Sequence, residues 1–247
     1  MEHFQRLPLK ETIFIAVLLV LSSCSEPSSH PNEEYKTKTK LVFPVLGESF
    51  IAAGGRLKSQ NPFHYQAPDQ RYALDIIALK PGSDRPDMNN FVMRALNGKF
   101  PIYEGDFYQP ESHFCFGMTI VAPGDGVVIA AVDGIRDNRV GQVNTQQMAG
   151  NHVVIDHLNG EFSMLAHFRK GSVQVQTEQV ITAGTPIGEC GNSGNSSLPH
   201  LHYHLQDTPK WLQGMGLPMQ FYQYKSDGGA VDVGEPYQGQ IIISPAD

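Results

Sequence analysis

No stretch of about 12 residues or more in this chain carries an apolar period of 3.6, the pattern a helix needs to bury one face. Short apolar runs take its place, each cut by Gly, Pro, Asn or Asp. Thr119-Ile120-Val121 stops at Ala122-Pro123-Gly124-Asp125-Gly126, and the run over 127–132 stops at Asp133-Gly134. Residues 152–157 lead to Asn159-Gly160, a hairpin turn pair, and 162–168 return as their partner. Val173 and Val175 alternate with Gln174 and Gln176, the period of a half-exposed strand. Residues 181–187 hold a Gly-Thr-Pro turn, and 200–205 form the last clear strand of the set. The 24 Gly and 17 Pro, with only 17% charged residues, suit many short strands joined by turns. The expectation is a mostly β, antiparallel domain with one short helix near 89–96. Two long insertions, at about 79–113 and 135–149, interrupt the strands; loops of that length in a compact β-domain are functional or mobile. At 40% apolar residues the chain can bury a sizeable core, which excludes disorder. A net charge of −7 leaves no basic excess to meet nucleic-acid phosphates, so no nucleic-acid partner is expected.

The N-terminus reads as an address. Arg6 and Lys10 precede an unbroken apolar run of nine residues, 13–21. That is too short for a bilayer, which takes about 20, and it suits the apolar region of a secretory signal. The run closes on Leu21-Ser22-Ser23-Cys24, which resembles a bacterial lipobox. The resemblance implies a signal peptide over 1–23, lipidation of Cys24 as the new first residue, and a membrane anchor on the periplasmic side of the cell envelope. Ser25 after the Cys implies the outer membrane. Residues 24–40 are polar, lack a periodic apolar pattern, and read as a flexible tether. The folded domain is expected over 41–247, with its core at about 41–206 and a C-terminal extension at 207–247.

Ten His are present, and their placement carries the chemistry. His200-Leu201-His202-Tyr203-His204 alternates strictly. On a strand, positions i, i+2 and i+4 share a face, about 6.6–6.8 Å apart. Three imidazoles therefore line one face, with Leu201 and Tyr203 on the other. That spacing lets one His ligate a metal while its neighbour reaches the reacting atom. A bare His-x-His is as readily an exposed polar strand face. The Gly/Asn/Ser loop that feeds the strand, Gly191-Asn192-Ser193-Gly194-Asn195-Ser196-Ser197-Leu198-Pro199, favours a site, because such loops hold a rigid strand end against a substrate.

The run 188–202 resembles the signature of lysostaphin-type (LytM-like) zinc endopeptidases, which cut peptide bonds in bacterial peptidoglycan. Tyr72-Ala73-Leu74-Asp75, Ala122-Pro123-Gly124-Asp125-Gly126-Val127-Val128 and Met164-Leu165-Ala166-His167 resemble further stretches of that family in the same order. The resemblance covers about 41–206. It implies an antiparallel sheet with a groove across it, walled by the long insertions, and one bound Zn2+. Carried over residue by residue, Asp75 and His202 would be zinc ligands, with His167 and His200 as catalytic imidazoles beside the metal. The family's usual His four residues before the Asp is replaced by Arg71, which has no lone pair to offer. His64, eleven residues before Asp75, is the upstream candidate, looped back by a turn at Ala67-Pro68-Asp69. His113, or no third protein ligand, are the other readings. Two His and one Asp leave a position open for water, as catalytic zinc sites do. His204 lies one pair beyond, either supporting the ligands from behind or as a solvated strand residue. His152 and His157 read as strand-end packing and hydrogen-bonding residues.

With Cys24 consumed by the anchor, Cys115 and Cys190 are read as two buried thiols, although an extracytoplasmic compartment permits a disulfide. Trp211, Phe221, Tyr222 and Tyr224 form an aromatic cluster, read as core or edge packing, with a groove wall as the second reading. The function implied is a zinc endopeptidase acting on the peptide stems or cross-bridges of peptidoglycan. The alternative is an inactive relative of the same fold that binds peptidoglycan or activates a hydrolase, for which Arg71 is the chief support.

Overall fold

The punctuated apolar runs become strands because each is long enough to cross a sheet and is stopped by a turn residue. The computed structural model describes residues 32, 34–80, 82–83 and 101–244. Cys24, the signal segment and the helix expected near 89–96 lie outside the described residues. The strands are β1 (Gly47–Ala53), β2 (Leu74–Ala78), β3 (Thr119–Val121), β4 (Gly126–Val132), β5 (Asn151–Asp156), β6 (Phe162–Phe168), β7 (Val180–Ile181), β8 (Pro186–Glu189), β9 (Leu201–Gln206), β10 (Gly216–Leu217), β11 (Phe221–Ser226), β12 (Gly229–Gly234) and β13 (Ile241–Ser244). Helical structure among the described residues is limited to two 3₁₀ turns, Pro110–Ser112 and Thr145–Gln147, one in each insertion. The main sheet runs β12-β11-β13-β1-β2-β9-β6-β5-β4-β7, with β10 beside β9, and β3 pairs with β8 in a second sheet. The paired strands are antiparallel, so the fold is the nearly all-β antiparallel one expected.

Alternation divides β2 and β9 between two environments. Leu74, Ile76, Leu201, Tyr203 and Leu205 point into a continuous core with Val153, Ile155, Leu165 and Phe221. Asp75, His202 and His204 therefore take the opposite face, and pairing puts Asp75 directly across from His202.

Three expectations need correction. Residues 173–176 form no strand: the burial alternation is real, with Val175 buried between exposed glutamines, but the segment forms no ladder with a neighbouring strand. The backbone N–H of Gln174 instead bonds Ile187 O at 3.0 Å. Cys115 and Cys190 are not two thiols but a disulfide, with Cα atoms 5.8 Å apart. Tertiary pairing decides this: Gly117 N–H donates to Cys190 O and Cys190 N–H to Met118 O, both at 2.8 Å, which lays the two segments side by side. Trp211 is separate from the aromatic core; Phe221 and Tyr224 are buried in that core, whereas Trp211 lines a groove.

Two segments beyond the expected core pack onto it. The C-terminal strands extend the same sheet, because β13 pairs with β1. At the other end of the chain, Glu161 is fully buried and accepts from Tyr35 OH, the backbone N–H groups of Lys38 and Thr39, and the Thr39 hydroxyl. That carboxylate fastens the stretch from Tyr35 onto the turn between β5 and β6.

Candidate active site

Three loops cover the polar face of β2 and β9. The first carries His64. Asn61 is buried and its side-chain amide donates to Arg71 O (3.2 Å) and Ala73 O (3.1 Å), which closes the loop at its base. The Arg71 guanidinium stacks on the Tyr65 ring, 3.2 Å from its centroid, beside His64. Arg71 thus braces the loop that brings His64 back to Asp75.

The second loop is the Gly/Asn/Ser run before β9. Gly150 (φ +61°) and Gly194 (φ +78°) lie back to back, and a Cβ on either would collide with the other segment's backbone. Ser193 Oγ donates to Phe168 O at 2.7 Å and accepts from Asn151 N–H at 2.9 Å. Asn138, from the insertion at 135–149, donates to Gly194 O (2.7 Å) and Ser196 O (3.0 Å). The third loop follows β9, carries Trp211, and is tied to the first by Leu212 N–H donating to Asp69 at 3.1 Å.

His167 is placed by a bulge. Asn151 pairs with Phe168 and His152 with Ala166, so His167 is the extra residue, at φ +70°. A non-glycine residue in the left-handed region is uncommon and collects at functional sites; the bulge re-aims its side chain.

Five of the residues singled out in the sequence meet here. Asp75 sits at the centre, its Oδ2 3.0 Å from His64 Nε2 and its Oδ1 3.1 Å from His202 Nδ1. His200 Nε2 lies 3.5 Å from the same Oδ1. The His167 ring centroid is 4.9 Å from that of His200 and 5.8 Å from that of His202. His167 Nδ1–H donates to Ser193 O (2.8 Å) and His200 Nδ1–H to Leu198 O (2.7 Å), so each ring in its neutral form turns a bare Nε2 away from its anchor. His204 is buried behind His202, not solvated, with His202 Nε2 2.9 Å from its Nδ1. His113 is not part of the group; it is buried near Tyr103 and Phe107, with Nε2 bonded to Phe107 O at 2.8 Å. His152 and His157 bond backbone at strand ends, as expected.

The electrostatics follow from burial and from Asp75. Burial acts to raise the Asp75 carboxyl, but the imidazoles beside it, His64 first and then His200 and His202, hold it well below the ordinary range. Burial acts to lower His64, and Asp75 more than offsets it, so His64 is raised. His202 is pushed down to about 4, chiefly by burial. Burial, reinforced by the neighbouring imidazoles, also takes His167 and His204 well below the usual value.

These groups lie at the floor of a groove of about 520 Å³. Its lips are apolar and solvent-facing: Phe63 and Leu212 from the first and third loops, Val143 and Met148 from the insertion. Sequence reasoning did not pick out these four, or Gln206, whose amide ends the line behind His202 and His204. Gln206 was legible as the next same-face position of the alternation; the lip residues carry no pattern, because loops of no period bring them together.

Residues 113–213 match the family model described as Peptidase family M23. The match takes in His167, His200, His202, His204 and Trp211 and leaves out His64 and Asp75. The peptidoglycan DD-endopeptidase ShyA of Vibrio cholerae is 33% identical over 161 residues, covering 64% of this chain and 31% of that protein. The peptidoglycan DD-endopeptidase ShyC of the same organism is 26% identical over 166 residues, covering 64% of this chain and 34% of that protein. This chain therefore spans about a third of the length of these relatives. Among solved structures, the catalytic domain of lysostaphin from Staphylococcus simulans matches at 18% identity with a TM-score of 0.34, over 51% of this chain and 93% of that one. The likeness to peptidase family M23 thus rests on residues 113–213. Peptidases of that family are zinc metallopeptidases. The residues here fit such an ion: one ligand atom from each of His64, Asp75 and His202 lies within 4.8 Å of the others, and two imidazole nitrogens with a carboxylate oxygen are the donors zinc takes in catalytic sites.

Proposed function

We propose that this chain, through its M23 domain, is a zinc-dependent endopeptidase that hydrolyses peptide bonds in bacterial peptidoglycan. The observation that carries the reading is the meeting of His64, Asp75 and His202 beside two imidazoles with bare Nε2 atoms, all at the floor of an open groove. The endopeptidase relatives support peptidoglycan as the substrate.

His64 Nε2, an Asp75 oxygen and His202 Nδ1 would hold the metal. Zinc bound there acidifies water and polarises a carbonyl. The chain's own residues do the rest. His167 and His200, each anchored through Nδ1–H to a carbonyl, present Nε2 to take a proton from the attacking water and return one to the leaving amine. Their anchors fix the rings, so little reorganisation accompanies the proton transfers. Phe63, Val143, Met148 and Leu212 grip the peptide on both sides of the cleft and exclude water from it. A lipid on Cys24 would hold the enzyme at the inner face of the outer membrane, within reach of the wall; the Leu21-Ser22-Ser23-Cys24 run supports that placement.

The test is digestion of purified peptidoglycan by the zinc-loaded protein, with the released fragments identified by mass spectrometry. New amino termini at cross-links are expected, together with one zinc per chain. A protein that binds zinc and the wall but releases nothing would leave the inactive, binding relative as the correct reading.

A further inference from the structure

His202, His204 and Gln206 form an unbroken line of polar atoms along one face of β9, and the line has a direction. Gln206 is buried, and its Nε2 lies 2.6 Å from Thr208 O and 2.8 Å from Lys210 O. Carbonyl oxygens only accept, so the amide nitrogen must face them and Oε1 must face the other way. Oε1 lies 3.1 Å from His204 Nε2. Oε1 also only accepts, so His204 Nε2 carries a hydrogen. A second proton on His204 would create a buried cation with no carboxylate against it, which is costly. His204 Nδ1 is therefore a bare lone pair, and it lies 2.9 Å from His202 Nε2. His202 Nε2 must donate to it. In the neutral His202 ring the lone pair then sits on Nδ1, which faces Asp75 Oδ1 at 3.1 Å. Two acceptors at that distance repel unless a cation lies between them.

Resting on the zinc reading above, we infer that His204 and Gln206 are positioning residues, whose fixed hydrogen-bond direction puts the neutral His202 ring in the tautomer with its hydrogen on Nε2 and its lone pair on Nδ1, where a divalent cation can join His202 to Asp75. The backbone carbonyls of Thr208 and Lys210 set the direction, so the loop that carries Trp211 is coupled to the metal position through Gln206. Trp211 also closes the line from solvent, its ring 5.6 Å from His202 and 5.2 Å from His204 by centroid. A ring fixed with its lone pair toward the ion binds without first losing a proton or turning over, which is how outer hydrogen bonds raise metal affinity.

The experiment reads histidine ring protonation by long-range ¹⁵N–¹H correlation in the metal-free protein, alongside zinc affinity by chelator competition. Wild-type His202 should carry its hydrogen on Nε2. His204→Leu removes the acceptor; His202 should then move its hydrogen to Nδ1, toward Asp75, and zinc binding should weaken about 10–100-fold. His204→Gln, which restores an acceptor, should recover most of that loss. Gln206→Met, a milder change at the end of the line, should give a smaller loss in the same direction, guarding against a His204→Leu protein that fails to fold. Nδ1–H on His202 in the metal-free wild type would overturn the inference and leave the proposed hydrolysis standing. So would His204→Leu and Gln206→Met proteins that keep wild-type zinc affinity. A wild type with Nε2–H on His202 that fails to cut peptidoglycan would sink the proposed activity and leave this inference intact.

Discussion

A second buried histidine network, outside the candidate site, shows by contrast what separates a structural histidine from a candidate ligand. At the hairpin end of β5 and β6, His157 Nδ1–H donates to Asp125 O at 2.6 Å, and its Nε2 accepts from Ser163 Oγ at 2.7 Å. Ser163 in turn lies 3.0 Å from Tyr203 OH. Every donor there meets an acceptor, and the set is complete without a visitor. Nearby, Glu161 is equally saturated by Tyr35, Lys38 and Thr39. At the candidate site the balance fails: Asp75 offers two oxygens to three imidazole nitrogens, and in the neutral rings the line behind His202 and the anchor of His200 leave two of those nitrogens without a hydrogen. Burial is similar in both places. The matching of donors to acceptors differs, and only the unmatched network has a use for a cation.

Four experiments would break or sharpen that contrast, beginning with the largest effect. Asp75→Ala and His202→Ala should each lose bound zinc and reduce peptidoglycan hydrolysis to background while the fold, measured by circular dichroism, persists. Retained zinc in either would place the metal elsewhere. His167→Ala should keep zinc, because its Nε2 is directed to chemistry, and lose turnover about 10²–10⁴-fold; metal analysis beside a fragment-release assay separates the two effects. On the saturated side, Glu161→Gln sets an amide NH₂ against two of the four donors that meet the carboxylate. It should cost about 1–3 kcal/mol in denaturant unfolding and leave zinc affinity unchanged.

The Glu161→Gln variant also has a pH signature. Burial acts to raise Glu161, but the hydrogen bonds from Lys38, Thr39 and Tyr35 prevail and its pKa is lowered. A carboxyl lowered on folding contributes stability that is present above its unfolded value, about 4.3, and is lost as pH falls through the folded value. The gap between wild type and Glu161→Gln should therefore be widest near neutrality and close in acid. The smallest effect is expected from Arg71→Ala. Losing the stack on Tyr65 should cost about 0.5–2 kcal/mol, read as weaker zinc binding through a looser His64, with turnover at saturating zinc nearly unchanged.

Much of the site could be read before the fold was known, because it is written locally. His200, His202 and His204 announce a shared face by alternation alone, and strand geometry turns that into three neighbouring imidazoles. His64 was legible only as a candidate. Its meeting with Asp75 depends on Asn61 and Arg71 bracing a loop, and neither residue signals such a role in the sequence. His167 was found by resemblance, while the bulge that aims it depends on the register between β5 and β6. The disulfide was missed because Cys115 and Cys190 stand 75 positions apart, and hydrogen bonds between distant segments bring them together. Residues 173–176 show the opposite failure: a correct alternation of burial without the ladder that would make a strand.

The sequence by itself determined a β-rich chain, its turns, a polar face on one strand, and the kinds of side chain on that face, since all of these follow from period and from residue chemistry. Only the tertiary structure decided which nitrogen of each ring points where. That depends on carbonyls contributed by the loops at Ser193, Leu198, Thr208 and Lys210, whose positions long-range packing fixes, and the direction of a hydrogen bond is set by what the partner can accept.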